Sequence, residues 1–226
     1  MVLEAFGIQK AFAGDAILKE VSFGIAAGHS LAITGPSGSG KSTLLSMLGL
    51  LLQPTAGEIR FKGRNVSDLT DDARSRLRNQ SYGFIFQNPQ LIGSLSVLDN
   101  VLVPARLARR SGCEPEARRA LESLGLGHRL KHLPHQLSIG QKRRVAIARA
   151  LLLKPEVVFA DEPTNDLDPE LAARLGDYLL GLTKQGSTLV LVTHDAAFAT
   201  RADRCFQVAD GNLQEVMPTE RTSIGC

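Results

Sequence analysis

Residues 35–43 read Gly35-Pro36-Ser37-Gly38-Ser39-Gly40-Lys41-Ser42-Thr43, and no other stretch constrains the fold as much. The spacing is GxxxxGK[ST], a loop that cradles nucleotide phosphates when it joins a strand to a helix. Its flanks fit that context. Residues 30–34 (SLAIT) are an apolar run of strand length, and residues 41–50 read as a helix. Glycines let the backbone curl so that successive N–H groups point at anionic oxygens. The helix that follows adds the positive end of its dipole. In such a loop Lys41 reaches the β- and γ-phosphates, and the Ser42 hydroxyl ligates Mg²⁺. Read alone, the loop implies nucleotide binding and nothing more specific.

The chain has 226 residues, enough to bury a sizeable core as one large domain or a domain with a subdomain. Hydrophobic residues make up 43% and charged residues 22%, a balance that fits a soluble globular protein. The longest apolar run, residues 44–52, is interrupted by Ser46 and Gly49 and is too short to span a bilayer. No secretion signal is visible at the N-terminus. Cys113, Cys205 and Cys226 are few, odd in number and far apart, which suits a reducing compartment and offers no zinc spacing. Three basic groups stand out: Arg74, Arg76 and Arg78; Arg106, Arg109 and Arg110; Lys142, Arg143 and Arg144. Acidic residues nearly balance them, at 23 against 26, so solvated helix faces are the expectation. No aromatic residues interleave with these groups, so no nucleic-acid partner is expected. His128, His132 and His135 lack carboxylate or cysteine partners at ligand spacing and read as solvated or turn residues.

Short apolar runs at 3–9, 17–25, 30–34, 58–61 and 82–86 read as strands. From about Ser96 to Leu153 the period turns helical, with Leu98, Val101 and Leu102 on one stripe. Strand-like runs return at 157–160, 189–193 and 205–208. Between the first two of these lies a helix with clear end signals. Asp168 can cap it, Pro169 suits its first position, and Leu171, Leu175, Leu179 and Leu182 form its stripe before Gly186 ends it. A second helix is expected to begin near Gln141, with Ser138 and Gly140 opening it into an anion site. Alternating strands and helices imply an α/β fold with parallel pairing. In such sheets ligands bind beyond the carboxyl ends of the strands. The phosphate loop, Asp161–Glu162 and His194 each follow a strand, so all three converge on one edge. A carboxylate placed like Asp161 can hold Mg²⁺ directly or through water, and the strand before it and Pro163-Thr164 after it favour that over an acidic capping pair in a turn.

Residues 137–141 read LSIGQ, 157–168 read VVFADEPTNDLD and 191–195 read LVTHD, in that order after the phosphate loop and Gln87. With these five motifs the chain resembles the nucleotide-binding subunit of an ABC transporter over essentially its whole length. The resemblance implies an α/β P-loop NTPase core with a mostly parallel sheet, an N-terminal antiparallel β portion and an inserted helical subdomain. It implies a single nucleotide-binding domain over 1–226, with core at 1–87 and 155–226 and the helical subdomain at about 88–154.

By the same resemblance ATP and Mg²⁺ are the cofactors, and residues 35–43 hold the phosphates. Asp161 joins Ser42 and Gln87 around Mg²⁺, Glu162 polarises the attacking water, and His194 contacts the γ-phosphate. Gln87 also touches that water and links core to subdomain. Ser138, Gly140 and Gln141 grip the γ-phosphate of ATP bound to a second copy, so ATP is sandwiched in a homodimer whose interface residues 165–168 cross. Phe12 lies near where the family places an aromatic on the adenine, with a core residue as the competing reading; stacking on a base is worth about 1–3 kcal/mol. The family's usual LSGGQ is LSIGQ here, and the Ile139 side chain either crowds the phosphate or points away. The implied activity is ATP hydrolysis coupled to a separate transmembrane permease, at the cytoplasmic face of the inner membrane. The stretches LGLLLQPTAGEIRF, RLRNQSYGFIFQ and VLDNVLVP look most like the lipoprotein-release and macrolide-efflux branch. An importer ATPase shares much of this, and Ile139 leaves open a regulatory module with weak turnover.

Overall fold

The computed structural model of the chain describes residues 1–165 and 167–216; Asp166 and Cys226 lie outside them. Strands β1 (Leu3–Phe12) and β2 (Asp15–Ile25) form a long antiparallel hairpin, from Leu3 opposite Ile25 to Phe12 opposite Asp15, with register shifts between Ala5 and Ala11. Its tight turn puts Ala13 and Gly14 at φ 48° and 96°, the left-handed pair that a two-residue hairpin needs. Strand β4 (Ala56–Phe61) pairs antiparallel with the other side of β1, and short β5 (Arg64–Asn65) closes that sheet in the order β2-β1-β4-β5.

The second sheet runs β10-β9-β3-β8-β7-β6. Strands β3 (Ser30–Thr34), β6 (Tyr82–Ile85), β7 (Val157–Asp161), β8 (Thr188–Val192) and β9 (Arg204–Ala209) are parallel, and β10 (Asn212–Val216) returns antiparallel to β9. Strands β7 and β8 read VVFAD and TLVLV without alternation because both faces of this sheet are covered. On one face Leu31, Ile33, Phe159 and Val190 meet Leu3, Ile8 and Ile25 of the antiparallel sheet, with Leu44 and Leu48 of helix α1 (Lys41–Leu48) between. On the other, Val158, Leu189 and Leu191 meet Leu175 and Leu179 of α6 (Pro169–Gly181), beside Phe198 of the one-turn α7 (Ala196–Ala199). Asp168 caps α6, its carboxylate accepting from Leu171 N–H at 2.9 Å. Each such fully buried side chain contributes about 2 kcal/mol of burial free energy.

Helices α3 (Val97–Leu107), α4 (Glu114–Ser123) and α5 (Ile139–Leu151) share a separate apolar cluster of Val97, Val101, Ala117, Leu121, Val145 and Ala148. Fully buried Asn100 ties the preceding loop to α3, its amide nitrogen donating to the carbonyls of Ile92, Leu95 and Ser96. Helix α5 starts at Ile139, two residues before the expected Gln141. The reason is a reciprocal cap: Gln141 N–H donates to Ser138 Oγ at 3.2 Å, and Ser138 N–H donates to Gln141 Oε1 at 3.0 Å.

The basic groups are not uniformly solvated faces. Arg143 is only 2% exposed. Arg144 donates to the Leu124 carbonyl at 2.9 Å. On α2 (Asp71–Ser81), Arg78 donates to the Leu50 carbonyl at 2.8 Å, and burial, with Arg74 nearby, lowers the pKa of its guanidinium. Each of the three donates to at least one backbone carbonyl, a partner that the charge balance of the sequence does not reveal.

Candidate nucleotide site

The parallel order β3-β8-β7-β6 brings four strand ends side by side. The phosphate loop follows β3, Thr193–His194 follow β8, Asp161–Glu162 close β7, and Gln87 lies just past β6. Residues far apart in the chain thereby share one edge, as expected for the three motifs that follow strands.

The loop has the geometry of a cradle. Gly35, Gly38 and Gly40 have φ of 140°, 78° and 101°. A Cβ at Gly35 would lie 2.3 Å from the Val208 carbonyl oxygen, so no other residue fits there without moving β9. No side chain caps α1, whose first N–H groups therefore stay available to an anion. Lys41 is folded inward and nearly buried, its Nζ donating to the carbonyls of Gly35 at 2.9 Å and Pro36 at 2.7 Å. Ser39 Oγ is buried without a protein partner, an orphan that a phosphate oxygen can satisfy. A cavity of about 580 Å³ opens beside the loop, lined by Ser37, Gly38 and Ser39 with Ile17, Lys19 and Asp210. The donor set and the missing Cβ atoms fit a nucleotide polyphosphate.

Ser42 Oγ donates to Asp161 Oδ1 at 3.2 Å. Burial pushes the Asp161 carboxyl up, the Ser42 hydrogen bond and Lys41 pull it down, and Glu162 adds to the rise. A dication between these oxygens would supply the counter-charge that burial withholds. Among the described residues no cluster of three or more His, Cys, Asp and Glu side chains gathers to hold a metal. Mg²⁺ at Ser42 and Asp161 would therefore take its remaining ligands from phosphate and water, as this ion commonly does.

Glu162 has φ 46°, a left-handed backbone that is costly for a residue with a side chain. Its N–H donates to the Val192 carbonyl at 2.9 Å, which ties the turn to the end of β8. Its carboxylate, 12% exposed, accepts from His194 N–H at 3.3 Å and lies 2.9 Å from His194 Nδ1. The histidine side chain is 64% exposed, so its far nitrogen is free to meet a ligand in the cleft. Sequence reasoning named both residues but not their pairing, which depends on β7 and β8 being neighbours.

Gln87 is exposed, and its carbonyl accepts from Arg143 Nη2 at 2.9 Å. Ser138 and Ile139 are exposed and Gly140 half-buried at the start of α5; with Gln141 they stand outside the lining of the phosphate-loop cavity of their own chain. Ile139 is 64% exposed. Phe12 is 47% exposed at the hairpin tip, with Lys10 Nζ 4.9 Å from its ring centroid, so it is not a core residue. It does not line that cavity either.

A family model described as ABC transporter matches residues 18–165. The chain is 48% identical over 217 residues to the macrolide export ATP-binding/permease protein MacB 1 of Aeromonas hydrophila, covering 93% of this chain and 33% of that protein. It is 45% identical over 206 residues to the lipoprotein-releasing system ATP-binding protein LolD of Shewanella denitrificans, covering 88% of this chain and 87% of that one. Among solved structures, a dimeric post-hydrolysis state of the ATP-binding cassette MJ0796 bound to ADP and Pi superposes with TM-score 0.86 and 34% identity, over 97% of this chain and 100% of the other. The chain thus spans about a third of the length of the macrolide export relative.

Proposed function

The chain belongs to the ABC transporter family as an ATP-binding cassette, and from that premise we propose that it hydrolyses Mg-ATP in a homodimer to drive a separate membrane permease of the export or lipoprotein-release kind. The observation that carries this reading is the single sheet edge where an uncapped helix start, Lys41, the Ser42–Asp161 pair and the Glu162–His194 pair meet. In this reading residues 1–87 and 155–226 form the core and 88–154 a helical subdomain, supported by the separate apolar cluster of α3 to α5. The relatives' names support export or lipoprotein release over import.

The backbone N–H groups of residues 35–43 and the Lys41 ammonium bind the β- and γ-phosphates, with Lys41 exchanging two carbonyl partners for phosphate oxygens. Ser42, Asp161 and Gln87 would hold Mg²⁺, which would supply positive charge against the transferring phosphoryl group. Glu162 accepts the proton of a water aligned with the γ-phosphate. His194 keeps that carboxylate in place through Nδ1 and offers Nε2 to the phosphate. Phe12, exposed at its tip, covers the adenine. Ser138, Gly140 and Gln141 of a second copy close the site, a reading supported by the solvent exposure of Ser138 and Ile139 at the start of α5.

Among the described residues no helix is long and apolar enough to cross a membrane. The permease would supply the spans, and this chain would sit peripherally on the cytoplasmic face. A groove of about 310 Å³ between Leu51, Arg78, Phe84, Phe86, Val103 and Leu107 adjoins the Gln87 segment and is the surface we assign to that partner. Nucleic acid is not a partner in this reading.

The direct test is ATP hydrolysis by the purified chain, followed by phosphate release. His194→Ala is expected to lower kcat by about 100-fold, roughly 2.7 kcal/mol of barrier, and to leave ATP affinity within about threefold. A large loss of affinity at unchanged turnover would contradict the role of His194.

Ile139 decides between an efficient cassette and a weak regulatory one. Ile139→Gly is expected to change turnover less than about threefold, since Ser138 Oγ and the Gly140 N–H remain and the lost side chain is mostly solvated. Ser138→Arg is expected to abolish turnover, because a bulky cation fills the anion site and removes a cap worth about 1 kcal/mol. A rise of about tenfold or more in Ile139→Gly, some 1.4 kcal/mol of barrier, would mark this signature as impaired and favour the regulatory module.

A further inference from the structure

One buried cation is not used by the reading above. Arg143 lies one turn into α5, 2% exposed. Its Nη2 donates to the Gln87 carbonyl at 2.9 Å, and its Nη1 donates to the Asn165 carbonyl. Burying a guanidinium is unfavourable unless its donors are met. Two of these donors reach main-chain oxygens of two different loops. One loop follows β6 and the other follows β7, and these strands are parallel neighbours. Asn165 N–H donates back to the Glu162 carbonyl at 3.2 Å, so the second loop is the turn that carries Glu162. Arg149 of the same helix donates to the Gln90 carbonyl at 2.6 Å, so α5 holds the 87–90 segment at both ends. A planar fork fixes the relation of its acceptors in a way a flexible ammonium does not.

We infer that Arg143 is a positioning residue: its guanidinium sets the spacing between the Gln87 loop and the Glu162 turn, and through them governs turnover but not ATP affinity. The inference rests on the ATPase reading for its kinetic part. Its structural part stands on the hydrogen bonds alone. Because the same helix begins with the signature residues 138–141, a shift of the 87–90 segment would be passed to the closing surface and to Glu162 together.

The test compares wild type, Arg143→Lys and Arg143→Met as purified full chains. Without nucleotide, amide hydrogen exchange in Arg143→Met should speed up about tenfold in peptides covering 86–92 and 160–165, and stay unchanged in the peptide covering 35–43. With Mg-ATP, kcat should fall about tenfold while KM stays within about twofold. Arg143→Lys should lie between, since one ammonium can retain one carbonyl. Unchanged exchange in both loops, or a higher KM at unchanged kcat, would overturn the inference. Should Arg143→Met not fold, Arg143→Lys decides. A threefold or greater fall in kcat at constant KM, on the order of half the tenfold step in free energy, supports the inference. Wild-type exchange and wild-type kcat refute it. A wild-type chain with no hydrolysis at all refutes the ATPase reading instead, and the exchange result then still judges the tie.

Discussion

Lys41→Ala is expected to weaken ATP binding by about 100-fold or more, roughly 2.8 kcal/mol, measured by titration with a fluorescent ATP analogue. The magnitude follows from the position of the ammonium. It is nearly buried, and its two acceptors, the Gly35 and Pro36 carbonyls, lie inside the curl of the loop. Bound phosphates would take the place of those carbonyls, and a hydrogen bond to a charged group is worth about 1.5–3 kcal/mol. Alanine leaves the anion facing the N–H groups alone. Because the lysine also ties the loop together through the Gly35 and Pro36 carbonyls, the mutant's melting temperature is measured alongside, so that loss of fold is not read as loss of binding. Near-wild-type affinity in a folded mutant would remove the phosphate-loop assignment.

Glu162→Gln is expected to bind Mg-ATP within about threefold of wild type and to hydrolyse it about 100- to 10,000-fold more slowly, the usual span for loss of a general base. The amide keeps the volume of the carboxylate but cannot accept the water's proton. The turn itself should survive, because the Glu162 N–H still donates to the Val192 carbonyl and an amide oxygen can still accept from His194 N–H. Single-turnover phosphate release checks the rate. A wild-type rate would mean that Glu162 is not the catalytic carboxylate.

The parts of this site that were legible in the sequence are those whose signal is local. The phosphate loop states its own geometry, since glycines stand where φ is positive and Lys41 opens a helix. Strands β7 and β8 are continuous apolar runs because they are buried on both faces. Asp168-Pro169 marks the start of α6 by cap chemistry alone. Other features were silent for equally physical reasons. Helix α2 offers a single large apolar side chain, Leu77, so it shows no period. The edge strand β10 has mostly exposed or half-exposed positions and no buried run. The Glu162–His194 pair depends on strand order, which a linear chain does not display. The burial of Arg143 leaves no mark in the sequence, since two of its acceptors are carbonyl oxygens, which every residue has. Helix α5 starts two residues before the expected Gln141 because Gln141, an anion ligand by the resemblance, is also half of a cap.

That double use of Gln141 and Ser138 bears on closure. A cap holds Ser138 Oγ at the mouth of α5, where it meets the helix's own N–H groups and faces solvent. In the proposed function Ser138, Gly140 and Gln141 of a second chain complete the site. The measurement that tests this most directly is the molar mass of Glu162→Gln by light scattering during size exclusion, with and without Mg-ATP. The account predicts a monomer without nucleotide or with ADP, and a doubled mass with Mg-ATP, lost again when Ser138→Arg is added. A mutant that binds Mg-ATP at near-wild-type affinity yet stays monomeric at saturating nucleotide would contradict the sandwich dimer on which the proposed function depends.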